Sequence, residues 1–98
     1  MAVLNADEIR EKLKFLPGWK RIKGEIVRET AFKDFVAAVS FVNQVAAKAE
    51  AAGHHPDIDI RYNKVRLALV SHDAGGLTQQ DFDMAASIES LLVENARA

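Results

Sequence analysis

The chain has no cysteine in its 98 residues, and that absence excludes both a small scaffold stapled by disulfides and a zinc module held by thiolates. A reducing compartment is therefore permitted. Charge of one sign is also lacking: 13 Lys and Arg against 14 Asp and Glu leave a net charge of −1, whereas a protein that holds nucleic acid through its phosphates needs a basic excess. Uninterrupted apolar runs extend over only a few residues, far short of the ~20 that span a bilayer. The stretch from Met1 to Arg10 meets charge before it could form the apolar core of a signal peptide. These absences predict a cytoplasmic protein with no direct nucleic-acid partner and no membrane partner. Repeats, low-complexity tracts and linker-like runs are missing too, so residues 1–98 are read as a single domain.

What is present is the material for one core, since 49% of the residues are apolar and 28% are charged. A chain of this length buries roughly 60–70% of its unfolded surface, enough for one core with little left for a deep pocket. The expected site is shallow, or completed by a neighbouring subunit.

Asn5 with Glu8 three residues later has the form of a capping box, and Ile9, Leu13 and Leu16 continue it as a helix that Pro17-Gly18 stops. Trp19–Ile22 and Glu25–Glu29 read as short strands joined through Lys23-Gly24. From Thr30 the spacing predicts the longest helix, with an apolar stripe of Phe32, Phe35, Val36, Val39, Val42, Val45, Ala46 and Ala49, ended by Gly53 with Pro56 beyond. Ile58, Ile60 and Tyr62 alternate with Asp57, Asp59 and Arg61 as a strand buried on one face, Asn63-Lys64 is the turn, and Val65–Ser71 is the fourth strand. A last helix opens at Thr78 and runs through Phe82, Ala85, Ile88 and Leu92. Two hairpins with no crossover helix between paired strands predict an α+β fold, a four-stranded antiparallel sheet with three helices packed on one face in the order α-β-β-α-β-β-α.

Chemistry concentrates in one place. All three histidines fall between positions 54 and 72, with His54 and His55 in the loop after the long helix and His72 at the end of a strand. Imidazole, with an unperturbed pKa of about 6.5, gives or takes a proton near neutrality. The second hairpin is able to return His72 to the loop where that hairpin began. Glu50 stands in the last turn of the long helix, against the helix dipole and four residues before His54, where it either orients an imidazole or is an exposed surface carboxylate. Thr78-Gln79-Gln80-Asp81 is a helix-capping pattern that by itself accounts for both Thr78 and Asp81. Trp19 is either core or a flat wall for a ring substrate.

Other chemistries fit less well. Adjacent histidines point apart and no HExxH spacing exists, which argues against a metal site. Ser71 beside His72 has no nucleophile elbow around it, and Gly75-Gly76 is no phosphate loop. Proton transfer by a histidine cluster remains, with no cofactor.

Glu50, His54-His55-Pro56, Tyr62, His72 and Asp81, with intervening gaps of three, five, nine and eight residues, form a pattern that resembles the signature of the pterin-4a-carbinolamine dehydratase family. The likeness extends through Phe32-Lys33-Asp34-Phe35 to Gly18-Trp19, and forward through Gly76-Leu77-Thr78. It implies a hydro-lyase that dehydrates 4a-hydroxytetrahydrobiopterin to quinonoid dihydropterin in tetrahydrobiopterin recycling, linked to an aromatic amino acid hydroxylase. It further implies that His54 and His72 are the acid and base groups and that His55 binds the ring and shares in proton transfer. Glu50 and Asp81 would orient imidazoles, Trp19 would line the site, and Pro56, Ser71 and Asp73 would contact substrate through the flanking backbone. Ile58 stands where several relatives have tryptophan, and Gln80 where several have arginine. Relatives in animals form tetramers from dimers and serve as dimerisation cofactors for a homeodomain transcription factor, which implies a homodimer or homotetramer here and, as the alternative function, a protein-interaction module or a dehydratase-like member of another pterin pathway. Ala37, Ala38, Phe41 and Val45 are the expected second face of the long helix for such contacts.

Overall fold

A computed structural model describes residues 2–97. The elements run α1 (Ala6–Leu13), β1 (Trp19–Ile22), β2 (Glu25–Ala31), α2 (Phe35–Ala52), β3 (Asp57–Arg61), β4 (Lys64–Leu69) and α3 (Gln79–Arg97), with a short 3-10 turn at His72–Ala74. The expected α+β order is therefore observed. The sheet is antiparallel throughout in the order β1-β2-β4-β3, so the two hairpins lie side by side and join through β2 and β4.

Local chemistry explains the boundaries. Asn5 accepts the Glu8 amide at 2.8 Å while the Glu8 carboxylate accepts the Asn5 amide at 2.9 Å, the reciprocal box read from the sequence. The first hairpin turns on Lys23 (φ 49°) and Gly24 (φ 82°), both left-handed, which matches the twist of paired strands. Directly paired residues share a face of the sheet, so Trp19, Ile26, Val65, Leu67 and Leu69 lie on one side. That side meets Ile9 of α1, Phe41 and Val45 of α2, and Phe82 and Ile88 of α3 in one buried cluster.

Four expectations need correction. Helix α2 starts at Phe35 and not at Thr30, because β2 continues to Ala31, with Thr30 paired to Val65, and because Asp34 caps the helix by accepting the Ala37 amide at 2.8 Å. Its buried stripe is Ala38, Phe41, Val45 and Ala49, so Val45 and Ala49 of the expected stripe are buried, Ala38 and Phe41 of the expected second face turn inward with them, and Phe35 and Val36 of the expected stripe are 51% and 75% exposed. Tyr62 is not on a buried strand face: it occupies the second hairpin's turn with φ 53°, and is exposed. The turn falls on Tyr62-Asn63, one residue early, because Asn63 Nδ2 donates to the Phe32 carbonyl at 2.7 Å and the Phe32 amide donates to the Asn63 carbonyl at 2.8 Å.

Candidate active site

Three chain segments converge at one end of the sheet. Helix α2 ends at Gly53, in the left-handed conformation (φ 64°, ψ 29°) that glycine adopts without strain, and the His54 amide closes the turn on the Ala49 carbonyl at 3.1 Å. This reversal sends the chain through His54 and His55 toward β3, which begins at Asp57. Beyond β4, Ser71 and Gly76 form an antiparallel bridge that closes a tight loop, and His72 stands on it with its side chain exposed. The third segment is the first turn of α3, which supplies Gln80 and Asp81. Between them lies an open cleft of about 310 Å³ walled by His54, His55, Ser71, His72, Asp73 and Gln80.

Behind the cleft wall Asp81 is fully buried. Its Oδ1 meets His54 Nε2 at 2.5 Å, and its Oδ2 accepts the Ser71 hydroxyl at 2.9 Å and the Thr78 amide at 2.9 Å. One carboxylate thus caps α3 and holds an imidazole, so the two readings of Asp81 left open by the sequence are both satisfied. The proton positions follow from the partners. A carboxylate only accepts, so His54 carries its proton on Nε2 and Ser71 donates to Asp81. Ser71 therefore accepts from the Thr78 hydroxyl, 2.8 Å away, and Thr78 Oγ1 in turn accepts the Gln80 amide at 3.2 Å. His54 Nδ1 has no protein partner among the described residues, which leaves it as the nitrogen free to exchange a proton.

The second pair differs in setting. His55 Nε2 lies 2.6 Å from Glu50 Oε1, with both side chains mostly in solvent. Glu50 therefore meets His55, five residues on, and not His54, whose partner arrives from α3. His72 has no side-chain partner among the described residues. Two expected site residues stand apart from the cleft. Trp19 is buried in the core and donates its indole N–H to Glu89 at 2.8 Å, a carboxylate that also accepts Arg28 Nε at 2.7 Å. Pro56 is buried where β3 begins and does not line the cleft. Gln80, noted in the sequence only as a departure from relatives, is part of the wall. Its place one residue before Asp81 in the capping pattern was the available signal. Among the described residues no group of three or more His, Cys, Asp or Glu side chains is placed to hold a metal ion.

A four-stranded antiparallel sheet covered by helices, with imidazoles and a buried carboxylate at one sheet end, defines a class of small α+β protein equipped for acid–base chemistry. Residues 2–91 match the family described as pterin 4 alpha carbinolamine dehydratase. The chain belongs to that family. It is 67% identical over 92 residues, 94% of this chain and 100% of the relative, to a protein of Acidobacterium capsulatum named "Putative pterin-4-alpha-carbinolamine dehydratase". A protein of Chloroflexus aurantiacus with the same name is 55% identical over 92 residues, covering 94% of this chain and 99% of the relative. Among solved structures, a "transcriptional coactivator/pterin dehydratase" from Brucella melitensis superposes with a TM-score of 0.87 at 35% identity, over 91% of this chain and 97% of that one. A pterin dehydratase-like protein described as a RuBisCO assembly factor in the alpha-carboxysome shares the fold, with a TM-score of 0.64 at 23% identity over 76% of this chain and 88% of that one.

Proposed function

We propose that the protein dehydrates 4a-hydroxytetrahydropterins to the quinonoid dihydropterin, with His54 and His72 as the proton-transfer groups. In this reaction the C4a–O bond breaks as the hydroxyl takes a proton and leaves as water, N5 loses its proton, and the N5 electron pair closes the C4a=N5 double bond. Two positioned imidazoles on one cleft meet both demands without a redox step. The observation that carries the reading is the His54–Asp81 pair, because a buried carboxylate fixes the tautomer and leaves Nδ1 toward the substrate. His55, oriented by Glu50, binds the ring at the solvent side and shares in proton transfer, and Ser71, Asp73 and Gln80 complete the wall. The tetrahydrobiopterin form of the substrate, service to an aromatic amino acid hydroxylase, and a cytoplasmic site of action belong to the same reading. No helix among the described residues is long and apolar enough to cross a membrane.

The test is the rate at which purified protein accelerates loss of water from a 4a-hydroxytetrahydropterin. A rate no higher than the spontaneous one overturns the proposal. A second role in protein association is favoured by the outer face of α2, where Phe35 and Val36 stand exposed beside Val39. The partner we infer is a second copy of the chain. Val36→Asp should shift the sedimenting species to monomer, and an unchanged species would remove this role.

A further inference from the structure

A second cleft, of about 550 Å³, adjoins the three-histidine cleft, and Val70 and His72 are walls of both. It is not absorbed by the proton-transfer chemistry. Its floor is apolar, formed by Ile9, Val70 and Leu77 with Val3 and Leu4 of the N-terminal segment. That segment is fixed by the Leu4 amide, which donates to the Leu77 carbonyl at 2.8 Å. The rim is the first hairpin: Arg21, Lys23 and Glu25 line it. Neither Arg21 nor Lys23 forms an ion pair among the described residues, so the rim offers two uncommitted cations against one carboxylate.

Connectivity of the pterin ring gives this cleft an occupant. On the proposed function, on which this inference rests, His72 works at the N5–C4a edge, and C6 is bonded directly to N5. A substituent on C6 therefore leaves the ring beside His72, a residue that both clefts share. We propose that the second cleft receives the C6 substituent of the pterin, and that Arg21 and Lys23 make it selective for a substituent carrying an anionic group such as a phosphate ester. Apolar walls take the carbon chain, and the two cations supply charge-assisted contacts to its end.

The probes are 6-hydroxymethylpterin and its monophosphate ester, titrated against the purified protein by pterin fluorescence, so that the readout does not depend on turnover. The phosphate ester should bind about tenfold more tightly at low salt, and that ratio should shrink toward one as ionic strength rises and in the Arg21→Gln/Lys23→Gln double variant. Inorganic phosphate should compete with the ester and not with the neutral pterin. Equal affinity for the two pterins, or a preference that the double variant retains, overturns the inference while leaving the dehydratase reading intact. If neither pterin binds and no dehydration is accelerated, the reading of the whole site falls, and the inference with it.

Discussion

Two imidazole–carboxylate pairs stand on consecutive residues, at nearly equal separations of 2.5 Å for His54–Asp81 and 2.6 Å for His55–Glu50, yet they are not equivalent. Asp81 is wholly buried and His54 is 11% exposed at its side chain, whereas Glu50 and His55 are 78% and 61% exposed. Distance alone says little about what a pair is worth. In water the outer pair gains little over solvation and is screened by salt, so it contributes under ~1 kcal/mol. Removing Asp81 from the inner pair strands buried donors with nothing to accept them, a loss of about 3–5 kcal/mol. The outer pair is free to adjust to a ligand, and the inner one presents its imidazole in a fixed orientation.

The largest expected effect follows from that contrast. Asp81→Ala should lower stability in urea unfolding by about 3–5 kcal/mol, since it orphans the Thr78 amide, the Ser71 hydroxyl and His54 together. A loss below ~1 kcal/mol would show that the inner pair is no stronger than the outer. Next in size is a split between activity and stability at His72. Its exposed, unpartnered side chain predicts that His72→Ala slows dehydration by about 10²–10⁴-fold with stability changed by under ~0.5 kcal/mol. Thr78→Val should cost about 1–2 kcal/mol, because the Gln80 amide loses its acceptor and Ser71 loses the donor that aims its own hydroxyl at Asp81. The smallest change is Glu50→Gln, with unfolding free energy altered by less than ~1 kcal/mol. A large loss there would mean that exposure does not separate the two pairs.

Much of this was legible in the sequence where the signal is local. The Asn5–Glu8 box, the Lys23-Gly24 turn and the Gly53 cap are decided by a few neighbouring residues, and each appears in the structure as read. The grouping of His54, His55 and His72 was visible too, because a hairpin returns the chain to its starting edge. The partner of His54 was not, since Asp81 lies 27 residues away and its link depends on how α3 docks on the sheet. Proximity in sequence pointed instead to Glu50, which the backbone reversal at Gly53 turns toward His55. The face of α2 was misread for a different reason. Apolar residues occupy 11 of the 15 positions from Phe35 to Ala49, on all sides of the helix, so their spacing establishes a helix without fixing its rotation, and only packing of Phe41 and Val45 against the sheet and α3 does that. Trp19 illustrates the same limit, because its indole is claimed by Glu89 from a distant helix.

The most direct measurement sets wild-type protein, Asp81→Asn and Glu50→Gln side by side in one dehydration assay. The proposed site predicts a wild-type rate well above the spontaneous reaction, a loss of about 10²-fold or more for Asp81→Asn, and a change of no more than a few-fold for Glu50→Gln. Equal losses in the two variants, or a wild-type rate that does not exceed the spontaneous one, would contradict it.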